Sequence, residues 1–162
     1  MAEIEKSIEV AVPLRTAYDQ WTQFESFPEF MEGVKEVEQL DDRSLRWRAE
    51  IGGRELTWNA VITQQVPDQV VGWRSIDGAP NAGNVRFDAE GPDRTQVRLH
   101  LTYEPHGALE GAVDALGFLA RRVEGDLERF KEFIEQRRSE TGAWRGTIRH
   151  PEPEGTRNPE RR

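Results

Sequence analysis

The sequence contains no cysteine, which excludes a disulfide framework, zinc-finger and iron–sulfur sites, and any thiol nucleophile. No stretch approaches the roughly 18 apolar residues of a membrane-spanning helix. Basic residues are in the minority: 22 Lys and Arg stand against 30 Asp and Glu, a formal charge of −8. That surplus repels a phosphate backbone, so nucleic acid is not an expected partner. Where a secretory signal would be basic and then continuously apolar, the first residues, MAEIEKSIEV, alternate charged and apolar. A cytoplasmic location is the expectation. Motifs for cofactors and nucleophiles are missing too. There is no G-x-S-x-G, no G-x-G-x-x-G after a strand and no P-loop, so no nucleotide cofactor is expected. His100 and His106 come without a third ligand, and His100 falls on a face read as solvated, so no metal is expected either. The carboxylate pairs Asp41–Asp42 and Glu152–Glu154 sit in a turn and a tail, where water keeps them ordinary.

What remains is the pattern of apolar residues. A chain of 162 residues suits one domain, which at this size buries roughly 70% of its unfolded surface without staples. Ile4, Ile8, Val10 and Val12 alternate as in a strand. After Pro13, Leu14, Ala17, Tyr18, Trp21 and Phe24 recur at three and four, as in a short helix. FESFPEFM then reads as a second short helix or bend, ended by Gly33. From Val34 to Tyr103 the period is two, interrupted by turn chemistry at 41–43, 52–53, 66–69, 77–83 and 91–94, which predicts an antiparallel meander of about six strands. A two-residue turn at Gly52 and Gly53 pairs Ile51 with Arg54, Ala49 with Leu56, Trp47 with Trp58 and Leu45 with Ala60. Alternation carries the same inner face through Ile62, Val71, Trp73, Ser75, Val85, Phe87, Ala89, Val97, Leu99, Leu101 and Tyr103. Polar residues, including Arg46, Arg48, Arg74, Arg86 and Arg98, point outward.

A helix is predicted over 108–138, with Leu109, Val113, Leu116, Leu119, Val123, Leu127, Phe130 and Ile134 as its apolar stripe. The inner face of the sheet is the one surface large enough to cover that stripe. The opposite helix face is charged, with pairs such as Glu128–Lys131 and Arg122–Asp126, and reads as solvated. The domain is therefore expected to span 1–138. Residues 139–162 read as a polar, disordered tail, apolar only at Trp144 and Ile148, whose removal from 145 onward should hardly change stability.

Strand, two short helices, meander and long terminal helix together form an α+β helix-grip order, in which a curved sheet of about seven strands wraps the last helix. The sequence resembles the SRPBCC superfamily, with its START-like or Bet v 1-like fold, and within it the polyketide cyclase/dehydrase branch. Residues 2 to 138 carry the resemblance, in the stretches VPLRTAYDQWTQFESFPEFMEGVKEV, WNAVITQQVPDQVVGWRS, NAGNVRF, LTYEPHG and VEGDLERFKEFIEQR. The resemblance implies a hydrophobic cavity between helix and sheet; it does not imply one activity, because the fold hosts carriers, receptors and cyclases.

The candidate ligand-binding residues are aromatic. Trp47, Trp58, Trp73, Phe87 and Tyr103 share the inner face, Trp21, Phe27 and Phe30 stand at the mouth with Tyr18, and Leu116 looks in from the helix. Each of them either fills the core or lines a pocket, and alternation alone does not separate the two. An aromatic-lined pocket suits a hydrophobic small molecule, which the Tyr103 hydroxyl, Ser75 or an indole N–H would orient. Binding a polyketide- or lipid-like molecule is the first expectation. A cyclase or dehydrase that folds a poly-ketone for aldol closure is the second, and it rests on the resemblance because no interior arginine or buried acid–base pair is expected. A ligand-free protein-interaction module, suggested by the charged helix face and the tail, is the third.

Overall fold

The structure, a computed structural model, describes residues 2–51, 53–78, 80–103 and 115–149. Strand β1 (Ala2–Val10) leads through Pro13 into helix α1 (Leu14–Trp21) and a short 3-10 helix (Phe24–Glu29). Six strands follow: β2 (Val34–Asp41), β3 (Ser44–Ile51), β4 (Arg54–Val66), β5 (Val70–Ser75), β6 (Asn81–Gly91) and β7 (Arg94–Tyr103). Helix α2 (Ala115–Arg137) comes last. All seven strands form one antiparallel sheet in the order β1-β7-β6-β5-β4-β3-β2, so the first strand pairs with the last. The α+β helix-grip architecture expected from the sequence is the one observed. The part of the predicted helix over 108–114 lies outside the described residues.

The register of the β3–β4 hairpin is the predicted one, with Trp47 opposite Trp58 and Leu45 opposite Ala60. Alternation holds along most of the sheet, where a strand has one wet and one dry face, and lapses at the start of β5 and the end of β4, where consecutive residues are buried. Outward ion pairs such as Arg48 with Glu36 and Glu55, and Arg98 with Asp88, decorate the convex side. Two departures matter. Ala89, expected inside, is exposed near the end of β6. In β4 a bulge between Ile62 and Gln64 flips the parity, so that Gln65 pairs with Val71 and turns inward. Gln65 is accordingly buried.

The stripe of α2 packs as expected through Leu119, Leu127, Phe130 and Ile134. Its charged face is less solvated than the sequence suggested. Lys131 bonds Glu135 and donates to the Glu9 carbonyl, and Glu135 accepts from the Ala11 N–H. Those contacts tie α2 to the end of β1. In place of the expected pairing of Arg122 with Asp126, Arg122 donates to the carbonyl of Glu32, on the loop before β2, and the Glu32 N–H donates to the Asp126 carboxylate.

The expected boundary at 138 is corrected by the structure. Residues 139–149 form a strap across α1 and the β4–β5 end. The Gln65 N–H donates to the Ile148 carbonyl at 2.5 Å, and the Ile148 N–H donates back to Gln65 at 2.7 Å. Ile148 is buried and Trp144 packs on the core. The physical reason lies at α1, where Asp19, Gln20 and the following Thr22 are all buried. Buried polar groups need partners, and the strap supplies them. Thr141 makes two hydrogen bonds with the Gln20 amide, the Trp144 N–H donates to the Thr22 hydroxyl, and Arg145 pairs with both Asp19 and Asp68.

Candidate functional site

The concave face of the sheet, the 3-10 helix and α2 enclose a cavity of about 200 Å³. Of the residues expected to bind ligand, Trp21, Phe27, Trp47, Trp58, Trp73 and Tyr103 line it. Phe30 and Phe87 do not. The Phe30 ring is wedged against Trp21, Phe27, Phe130 and Phe133, and that of Phe87 meets Tyr18 edge-on at 5.5 Å. Both are core. Leu116 falls in α2, but its side chain lies outside the described residues. The remaining wall is mostly aliphatic and includes Leu45, Ile62, Val71, Leu99, Leu101 and Leu119.

Four tryptophans line the cavity, Trp47, Trp58 and Trp73 from the sheet and Trp21 from the end of α1. Trp47 and Trp58 stack nearly parallel, with centroids 5.6 Å apart at 8°, as their facing positions on β3 and β4 require. The Trp73 indole N–H donates to the Asn81 side-chain oxygen at 3.0 Å, and the Asn81 N–H donates to the Ser75 hydroxyl. That short chain pins Trp73 against β6. Gly83 is what lets it lie there, because a Cβ on Gly83 would fall 2.8 Å from the Trp73 ring and run into the His100 carbonyl. Gly83→Ala should therefore cost about 1–3 kcal/mol of stability and shift the near-ultraviolet circular dichroism of Trp73, as overpacking does. A variant with wild-type melting and spectrum would show that the ring has room to move. The indole N–H groups of Trp21, Trp47 and Trp58 are buried and find no acceptor among the described residues. A buried donor without an acceptor is costly, and here three belong to residues that line one cavity.

Sequence reasoning missed Asp126. It lines the cavity, because its place three residues after Val123 and four before Phe130 sets it at the edge of the apolar stripe. That spacing was the available signal, obscured by the charged neighbours. One carboxylate oxygen accepts from the Glu32 N–H at 3.0 Å and from Arg129. Arg129 also reaches the Phe30 carbonyl and the Glu32 carboxylate, while Arg122 donates to the Glu32 carbonyl at 2.9 Å. Gly33 leaves the space this clamp needs, since a Cβ there would overlap the Arg122 guanidinium. Burial pushes the Asp126 carboxyl up to about 6, against the pull of Arg129, the Glu32 N–H and Arg122. Carbon-detected NMR of the side-chain carboxyls should show Asp126 titrating near pH 6, above the ordinary range near 4. A midpoint at or below 4.5 would mean that the pull of Arg129, the Glu32 N–H and Arg122 outweighs burial.

A second buried polar group lies outside the cavity, under the strap. Burial pushes the Tyr18 hydroxyl up to about 12, offset in part by the Gln65 amide and the Arg145 charge. Burial likewise raises Asp19, against its hydrogen bond and charge interaction with Arg145. Among the described residues no group of three or more His, Asp or Glu side chains is placed to hold a metal, and no helix is long and apolar enough to cross a membrane. His100 sits on the convex side beside Glu3, and His106 lies outside the described residues.

The sequence profile of the family described as polyketide cyclase / dehydrase and lipid transport matches residues 10–132. The chain belongs to that family. As a polyketide cyclase-like protein of the SRPBCC superfamily it is 47% identical over 149 residues to a Streptomyces lincolnensis protein described as an uncharacterized 17.2 kDa protein in the melC2-rnhH intergenic region, covering 91% of this chain and 99% of that one. Among solved structures, DR_A0006 from Deinococcus radiodurans is similar at TM-score 0.67 and 28% identity, over 84% of this chain and 98% of that one. The Zhui aromatase/cyclase from Streptomyces sp. R1128 superposes at TM-score 0.65 with 16% identity, over 85% of this chain and 93% of that one. At that identity the likeness is one of fold.

Proposed function

We propose that the protein binds a hydrophobic, polyketide- or lipid-like small molecule in the cavity between sheet and α2. The observation that carries this reading is the tryptophan wall: a space of about 200 Å³ is kept open among aromatic rings, three of which hold buried N–H donors without an acceptor. A closed apolar space of about 150 Å³ holds one benzene ring, and drug-sized ligands need about 300 Å³ or more. The cavity as it stands suits a skeleton of one or two rings. A longer chain requires the wall to move.

The experiment compares the wild type with Leu99→Phe, which adds bulk into the cavity from its sheet wall. Tryptophan fluorescence should report binding of 2-naphthylmethanol to the wild type. It should report at least tenfold weaker binding to the variant, with the melting temperature retained. Equal binding by both would place the ligand elsewhere, and no binding by either would promote the interaction module.

One observation favours the second reading, a cyclase or dehydrase. Burial pushes the Asp126 carboxyl in the cavity wall up to about 6, closer to the working pH that suits a general acid or base. Turnover of a reactive poly-ketone that falls at least a hundredfold in Asp126→Asn would support catalysis. Product formed at the same rate with and without the protein would leave binding alone.

A further inference from the structure

Asp126 is the one charged side chain among the described residues that line the cavity. None of those residues contributes a cation to the wall, so an anionic group inside would border the Asp126 carboxylate, whose counter-charge Arg129 is not among the lining residues. Nor is Asp126 free to turn away, since its oxygen is held by the Glu32 N–H and by Arg129. The cations nearby are committed on the outer side of the seam. Arg129 is shared between Asp126 and the Glu32 carboxylate, and Arg122 donates to the Glu32 carbonyl and stacks over Phe118 at 5.2 Å. Arg122, Arg129 and Glu32 are the charged groups that face Asp126 from α2 and from the loop before β2.

We propose that Asp126 is a specificity-determining residue that makes the cavity accept neutral ligands and reject anionic ones. An alcohol, ketone or phenol is admitted where a carboxylate or sulfonate on the same skeleton is refused. This rests on the binding reading above and sharpens it, because among lipid-like molecules it removes ionised fatty acids and keeps neutral ones. The physical basis is that like charges in a site of reduced dielectric repel far more than in water. Since burial holds the Asp126 carboxyl near 6, the barrier stands at pH 8 and is lifted at pH 5.

The test uses two probes with one skeleton, 2-naphthylmethanol and naphthalene-2-sulfonate, the latter anionic at every pH used. Dissociation constants are measured by calorimetry on the wild type and Asp126→Asn at pH 8, and on the wild type from pH 8 to pH 5. Asparagine keeps the oxygen that accepts from Glu32 and Arg129, and the pH series needs no substitution at all. The ratio of alcohol to sulfonate affinity should fall at least tenfold in Asp126→Asn. In the wild type it should fall by a similar factor on acidification, with a midpoint near pH 6. A ratio that is the same in both proteins and flat with pH overturns the proposal. Sulfonate binding too weak to measure throughout overturns it as well, since desolvation alone then excludes the anion. In either case alcohol binding that remains sensitive to Leu99→Phe leaves the cavity reading standing. No alcohol binding by the wild type overturns both.

Discussion

Arg145→Leu is expected to lower stability by about 3–5 kcal/mol, the cost of leaving a buried charge without its partner. In a domain of this size that is a fall of roughly 6–20 °C in melting temperature. Asp19, the residue stranded, is 1% exposed and bonds Arg145 directly; Asp68 loses the same partner. The Arg15 guanidinium, 3.6 Å from Asp19 and mostly in water, is a weak substitute. Two further measurements separate charge from packing. Asp19→Asn added to Arg145→Leu should recover part of the loss, because it removes the orphaned charge. Acidification should also narrow the gap between wild type and Arg145→Leu. Burial already raises the Asp19 carboxyl, and without Arg145 it rises further, so the variant's folded state takes up a proton more readily than its unfolded chain and gains stability as pH falls. A variant melting within 2 °C of the wild type would show that the strap contributes little.

That strap was the least legible part of the chain. Its sequence, TGAWRGTIR from 141 to 149, has the composition of a tail, and nothing in its own residues says where it docks. The signal was at α1 instead: Asp19, Gln20 and Thr22, polar neighbours of the stripe of Ala17, Tyr18 and Trp21, are buried. A period of 3.6 distinguishes one wet face from one dry face, and a helix covered on both sides defeats it. The hairpin pairing Trp47 with Trp58 was readable because turn length and alternation constrain register independently. Gln65 was not, because one extra residue in β4 reverses every later side chain, and no glycine or proline marks the bulge. Asp126 was hidden for a third reason: a charged residue at the edge of an apolar stripe has the same sequence signature whether it meets water or a cavity. The candidate site was legible as a set of aromatic residues on one face, and which of them surround empty space depends on three-dimensional packing.

Phe30→Ala tests that last distinction and is expected to cost about 3–5 kcal/mol, as truncation of a fully enclosed phenylalanine does. Phe30 is 1% exposed. Its ring lies 5.2 Å from Phe130, 5.3 Å from Phe133, 5.7 Å from Phe27 and 5.8 Å from Trp21. It therefore joins the 3-10 helix to α2, and its loss leaves a hole that four rings cannot close together. Trp73 is the larger side chain and had the same standing in the sequence, but it is half-buried and one side of it faces the cavity. Where a side chain already borders a void it lacks dispersion partners on that side, so its removal forfeits less. Trp73→Ala should therefore destabilise less than Phe30→Ala while enlarging the space open to a ligand. Urea unfolding decides the matter through the midpoints, provided that the slope stays constant across the variants. The reverse order, with Trp73→Ala the more costly, would make Trp73 a core residue and reduce the tryptophan wall to packing.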